Sequence, residues 1–490
     1  MPTDQKIRAE EMSVSRGASV PFTHPDVQAI VGRLETAADA LAKQGGTLAW
    51  GVFRRGETGM AANGDVPYRI ASMTKSFTAA AVGLLAADGL DLDSPLDRII
   101  PELEGTSIAD RTCRQALTMG TGFTKDDPWA DRVEAMTRTE LIDYIKRGAI
   151  PIAPADTGYE YSNLGYALLG LVTESVTGKS FIEFVTAEVL HPIGLRRTGF
   201  DVADFPDLMS GIRIDRNGEG HPAELTGPGV FSPIGGIIST VNDIGTWMSA
   251  HMDALDDLDA YATGALPRIL TDNQQSHRLV EVQRSEHHTE SVNYGFGLQP
   301  RLDSRFGRVV CHSGGYPGYG SHMRWFPDLG LSIVVFGNTT YYPAESTVRD
   351  AVDAGWAAAT GDPDLRLTRT TTSVPAPHHP VAPEQSATVL RAANLVIDFE
   401  ESVVDELFTV NMDLDEPRAE RRARFDAWRD ELQLTQPFTP DDVTMTTPLK
   451  GTVTVPDAQI GGESDSANTT ATITVSLDHL GEVQTISLSS

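Results

Sequence analysis

The chain has 490 residues, 40% hydrophobic and 22% charged, a size and balance expected of a soluble globular protein with one large core and a second unit. Its 68 acidic residues against 39 basic ones give a formal charge of −29, which sets most of the surface against a polyanion and excludes nucleic acid as the expected partner. No run reaches the ~20 apolar residues that span a bilayer, and the N-terminus has no apolar core of the secretory kind, so the expected location is cytoplasmic.

Residues 1–24 read as a polar, flexible arm. From His24 to Gly46 the apolar residues Val27, Ile30, Val31, Leu34 and Ala38 fall near a 3.6 period, which predicts a helix ended by Gly45 and Gly46. Thr47 to Gly56 reads as a strand entering a turn. A strong helix follows, from Ala71 to a stop at Gly89. Residues ~91–230 are mostly helices and loops, the clearest helix beginning near Gly165. From ~290 the pattern turns to short Val-, Ile- and Phe-rich strands separated by turn residues. Strands joined by short turns are antiparallel. The segment from Ala351 to Gly361 reads as a closing helix.

The expected fold is therefore α/β of the α+β kind: an antiparallel sheet flanked by helices, with an all-helical subdomain beside it. Residues 361–383 turn rich in Pro and Thr and lose all periodicity, which reads as a linker. Residues 384–490 then read as a separate small α+β domain with 20 acidic and seven basic residues, no Cys, no Tyr and one His, His479. That composition is poor for chemistry. A scaffold, an active-site lid or a homo-oligomer contact is the expected role.

Only two cysteines occur, Cys113 and Cys311, too few for a disulfide framework or an all-Cys metal site. The pairs His287-His288 and His378-His379 lack the i, i+4 spacing of helical metal ligands, so no metal is expected. No Gly-x-Ser-x-Gly elbow is present, which argues against an α/β-hydrolase.

Three short motifs carry candidate chemistry. Ser72 and Lys75 are three residues apart at a helix start, so they share a face where free N–H groups favour negative charge. Burial would lower the pKa of Lys75 and let it accept the Ser72 proton. A Ser cap followed by a surface Lys would look the same. Of the seven lysines, however, only Lys75 has a Ser three residues before it. Next comes Tyr161-Ser162-Asn163, on a loop entering a helix, where a phenol can relay a proton and an amide can orient a carbonyl or hold the lysine. A plain turn would use the same residues. Last is His312-Ser313-Gly314-Gly315 at a strand end, where small residues admit a substrate backbone and the N–H of Gly315 could join that of Ser72 in an oxyanion hole. Cys311 alternates with His312 and should point to the opposite face.

Together these motifs resemble the serine β-lactamase and penicillin-binding-protein superfamily, specifically its class C-like branch. That group carries Ser-x-x-Lys, Tyr-x-Asn and Lys/His-x-Gly in this order. Here the gaps are 89 residues from Ser72 to Tyr161 and 151 from Tyr161 to His312. The resemblance covers residues ~25–360. It implies Ser72 as the acylated nucleophile, Lys75 and Tyr161 as shared base, Asn163, His312, Gly314 and Gly315 as substrate-binding residues, and no cofactor or metal. Two departures matter. His312 stands where lactamases and cell-wall transpeptidases have Lys, a form more like D-aminopeptidase, alkaline D-peptidase and esterase members. The segment from Arg111 to Phe123 replaces a common His-Thr-Ser-Gly block, with an expected effect on packing or the cleft wall. The expected function is a serine hydrolase acting on an amide or ester of a small peptide or small molecule, including peptides with a D-residue. A β-lactamase or DD-peptidase is the first alternative, and a non-catalytic binding or sensor protein on the same fold the second.

Overall fold

Two neighbouring central strands, Tyr319–Phe326 and Leu331–Gly337, are buried at every residue because helices cover both faces of their sheet. In the computed structural model, residues 24–489 are described apart from 58, 149–150, 216, 257–263, 285–287, 362–369, 374–376 and 456–470. The expected N-terminal arm (residues 1–23 of it), His287 and parts of the expected linker lie outside the described residues.

The main sheet has nine strands. From edge to edge they are Thr370–Ser373, Arg278–Arg284, Thr289–Tyr294, Gln299–Asp303, Gly307–Tyr316, Tyr319–Phe326, Leu331–Gly337, Leu48–Arg54 and Met60–Ala62. Every neighbouring pair is antiparallel. Alternation along the central strands divides the core in two. Met323, Trp325, Val334 and Phe336 join one cluster with Phe77, Trp247 and Met248. Phe326, Ile333 and Val335 join another with Ile30, Leu34, Val348 and Val352, from the helices Val27–Ala42 and Ala344–Thr360.

Beside the sheet lies a helical region with its own core, including Leu117, Phe123, Trp129, Leu141 and Leu168. The helix Thr74–Ala87 lies between the two regions. Its Phe77, Ala80 and Ala81 pack toward the sheet, while Ala79 and Val82 pack into the helical region. This explains why its sequence is apolar all round and rich in small residues: it has almost no water-facing side.

Residues 370–373, inside the stretch that reads as a linker, form the edge strand against Arg278–Arg284. Beyond them, a C-terminal domain packs the helices Pro383–Asn394 and Glu401–Leu407 on a four-stranded sheet made of Val443–Thr447, Lys450–Thr454, Thr472–Leu477 and Val483–Ser489. Among the described residues, no helix is long and apolar enough to cross a membrane. Both cysteines are free and buried, and burial pushes the Cys113 thiol up to about 12.

One buried polar side chain gives the core a pH response. His251 is fully buried between Trp247 and Trp325, and its Nδ1–H donates to the Trp247 carbonyl at 3.0 Å. Burial lowers its pKa from the ordinary 6.5 to about 4. The folded state thus holds this proton less tightly than the unfolded chain does. Its stabilising contribution is complete above 6.5 and is lost as pH falls through about 4. In thermal melts, His251→Gln should show a shallower fall of melting temperature with acidification than the unsubstituted protein.

Candidate active site

Ser72 sits in a single 3-10 turn, Ala71–Met73, that leads directly into the helix Thr74–Ala87. Ala71 holds a φ of 50°, in the region that favours glycine, so the backbone is strained where it delivers the serine. Neighbouring elements hold it there. The Ile70 N–H donates to the Ile237 carbonyl at 3.0 Å, and Ser321 Oγ donates to the Ile70 carbonyl at 2.6 Å. The strand Gly307–Tyr316 passes so close that only glycine fits at 314. A Cβ there would lie 2.4 Å from the Ile70 carbonyl oxygen and 2.9 Å from the Ala71 Cβ.

Lys75 is fully buried, with Nζ 2.8 Å from Ser72 Oγ and 3.0 Å from the Ile234 carbonyl that it donates to. Burial lowers its pKa to about 8, although Asp127, Asp131 and Asp126 pull the other way. The Tyr161 side chain interacts with that of Ser72, and its ring centroid lies 5.0 Å from Lys75 Nζ. Burial, then the carboxylate of Asp127, push the Tyr161 phenol well above 10. Of the two groups that touch Ser72, the amine is therefore the one able to be a free base near neutrality.

Asn163 begins the helix Asn163–Thr177, whose cap is Ser162. It is fully buried, and its Nδ2 donates a short hydrogen bond to Asp127, which lines the cleft. Asn163 thus acts on the cleft wall through Asp127. The segment that replaces the His-Thr-Ser-Gly block supports the same loop: the Met119 carbonyl accepts from the Glu160 N–H at 3.0 Å, and the Ser162 N–H lies 3.3 Å from Met119 Sδ.

The third motif forms the opposite wall of a cleft of about 630 Å³, lined by Ser72, Tyr161, His312, Ser313, Gly314 and Gly315, among others. Gly315 lies under Tyr341, where a Cβ would come within 2.5 Å of the ring. His312 lines the cleft with both ring nitrogens engaged. Its Nδ1 is 2.6 Å from the Ser313 carbonyl, which can only accept, so Nδ1 carries the proton and Nε2 accepts from the Tyr294 hydroxyl at 3.3 Å. Burial, then Lys75, lower its pKa to about 3, so it is neutral. Ser313 Oγ is 2.8 Å from His322 Nδ1 and donates to the Glu345 carboxylate at 3.0 Å. Burial would raise the Glu345 pKa, but Arg301, His322 and Arg324 hold it well below the usual range. Buried Cys311 has its thiol pushed up by burial and lies 3.8 Å from the Gln299 carbonyl.

Motif reading missed Asp126, Asp127, Asp131, Glu345 and Arg301, and no local pattern marks any of them. His378, half of an adjacent pair, has Nε2 2.9 Å from Glu160 Oε1. Among the described residues, one group could hold a metal ion: Asp215, Glu219 and His221, on the exposed hairpin Ile212–Pro222. None of them lines the cleft.

A family model described as Beta-lactamase matches residues 27–355. The chain is 25% identical over 292 residues to penicillin-binding protein 4* of Bacillus subtilis, an overlap of 55% of this chain and 60% of that protein. It spans little more than half the length of the curated relatives it matches. Its fold is similar to that of an octameric penicillin-binding protein homologue from Pyrococcus abyssi, with a TM-score of 0.56 and 22% identity over 69% of this chain and 79% of the other. A D-stereospecific amidohydrolase from Streptomyces sp. gives a TM-score of 0.54 and 23% identity over 65% and 97%.

The close approach at Gly314 yields a direct test. Gly314→Ala should push the third-motif strand away from the Ser72 turn. We expect a lower melting temperature, and labelling of Ser72 by a fluorophosphonate slowed by about tenfold or more.

Proposed function

This chain belongs to the beta-lactamase family, a family of serine hydrolases, and we propose that it hydrolyses an amide or ester through an acyl-enzyme on Ser72. The observation that carries this reading is the buried pair of Lys75 Nζ and Ser72 Oγ, 2.8 Å apart at the floor of an open cleft. Neutral Lys75 takes the Ser72 proton while Oγ bonds to the substrate carbonyl carbon. The proton then passes to the leaving nitrogen or oxygen as its bond to that carbon breaks. Water adds to the ester, and the acid leaves with Ser72 restored. Tyr161, kept neutral and in contact with Ser72, relays protons. The N–H groups of Ser72 and Gly315 receive the oxyanion.

The favoured substrate is a small peptide amide or ester, including one with a D-residue, that is not anchored by a carboxylate. Three features support this. His312 is neutral and its ring nitrogens are engaged. The Ser313 hydroxyl is committed to Glu345. The charged residues lining the cleft are Asp127, Glu160 and Glu345 against Lys125, so an anionic substrate group meets mostly like charge.

Intact-mass detection of a phosphonyl adduct tests the nucleophile: it should form on the full chain and be absent in Ser72→Ala. The labelling rate should rise with pH through about 8, because Lys75 accepts a proton only when neutral. Lys75→Arg should lower that rate by about a hundredfold or more. For substrate class, kcat/KM for a D-aminoacyl anilide or a short ester should exceed that for a chromogenic cephalosporin. Dominant cephalosporin turnover would instead establish the β-lactamase alternative.

A further inference from the structure

Residues 125–127 pass between the cleft and the C-terminal domain, and what holds them is split between the two. Lys125 and Asp127 line the cleft. Asp126, between them, is fully buried and turned the other way. Its Oδ1 accepts the Asn163 N–H at 2.7 Å, and its Oδ2 accepts the Leu164 N–H at 2.8 Å. Ser162 Oγ lies 3.4 Å from the same Oδ2. One carboxylate therefore fixes the first turn of the helix entered by Tyr161 and Asn163.

The remaining contact to Asp126 comes from the far end of the chain. His479 Nε2 lies 3.2 Å from Asp126 Oδ2, and neither side chain is exposed. An ionised carboxylate can only accept, so Nε2 is the donor. His479 Nδ1 is buried with no partner among the described residues. The ring packs edge-on against Phe123 and Trp129, with centroids 5.9 and 6.5 Å away.

A tight turn joining the strands Thr472–Leu477 and Val483–Ser489 presents His479. Asp478 Oδ1 accepts the N–H groups of Leu480 and Glu482, both at 2.9 Å, and its Oδ2 accepts the Tyr144 hydroxyl at 2.9 Å. Leu480 packs on the core of the helical region, and Ile152 of that region is buried in the C-terminal core. Gln484 Nε2 donates to the Lys125 carbonyl at 2.8 Å. Arg132 Nε donates to Asp415 at 2.8 Å. The turn is thus keyed into the catalytic region, and His479 is its innermost residue.

We propose that His479 is a positioning residue for the active site. Supplied by the C-terminal domain, it holds Asp126 so that Asp126 can fix the Tyr161–Asn163 loop against Ser72. The C-terminal domain is then a structural part of the catalytic centre, although it lies outside the family match at residues 27–355. The consequence for catalysis rests on Ser72 being the nucleophile; the contact to Asp126 and its effect on the loop do not.

The test compares full-length His479→Met, which keeps bulk without a strong donor, with His479→Gln, whose amide can donate to Asp126. Tyr144→Phe removes a docking hydrogen bond without touching Asp126. Two readouts are taken: amide hydrogen exchange of the peptide covering 160–168, and the rate of Ser72 labelling by a fluorophosphonate. We expect His479→Met to speed exchange in that peptide and to slow labelling, each by about tenfold. His479→Gln should recover most of both, and Tyr144→Phe should change neither. Should the Met variant not fold, His479→Asn, too short to reach Asp126, gives the same comparison. Exchange and labelling unchanged in the folded donor-less variant would overturn the proposal, as would equal losses in the Gln and donor-less variants. If the unsubstituted protein fails to label, the acyl-enzyme reading falls, while the exchange comparison still decides whether His479 positions the loop.

Discussion

Taking the Lys75 amine out of water disfavours its charged form, and much of the architecture follows from keeping it dry. A lysine side chain reaches water unless elements close over it from several directions. Here the helix that carries it runs between two hydrophobic cores, with small residues on both flanks. Tyr161 and Tyr166 place their rings 5.0 and 5.7 Å from Nζ. The Ile234 carbonyl takes one N–H. Three aspartates nearby limit how far the pKa falls, so the amine stays within reach of neutrality. Dry surroundings and nearby negative charge oppose each other, and the balance between them sets the chemistry available at Ser72.

The third motif shows the same economy of solvent exposure with a different result. A neutral, buried His312 and a Ser313 hydroxyl tied to Glu345 make that wall rigid and well satisfied. Arg301, Arg324 and Arg349 surround Glu345 on its other side. The wall is built around a carboxylate of its own.

The residues that identify the centre could be found in the sequence because they lie in short local patterns. Ser72 and Lys75 share a helix turn, Tyr161 lies just before a helix start, and His312 lies on a strand. The strands and main helices were legible for a related reason: burial on one or two faces writes a period into the sequence. The residues that hold the centre in place carry no such mark. Asp126 meets Asn163 across 37 positions, and His479 meets Asp126 across 353. Asn163 was found by its motif, but its contact with Asp127, instead of an open face toward substrate, depends on the surrounding chain. The edge strand Thr370–Ser373 escaped notice because edge strands need little apolar character, and its Pro- and Thr-rich surroundings suggested a linker. The C-terminal domain looked poor in chemistry by composition, and composition does not reveal which single histidine is aimed inward.

The seam between the two regions also has a consequence in time. A ribosome delivers Ser72, Lys75 and Tyr161 hundreds of residues before the turn at 478–480. Until that turn emerges, Phe123, Trp129 and Asp126 lack the His479 side chain that contacts all three in the finished protein. The nascent chain therefore holds its reactive groups well before their setting is complete. If His479 positions the loop as proposed, the cleft is completed only when the distant C-terminal strands are made, and early termination between those points would leave Ser72 present without the His479 contact to Asp126.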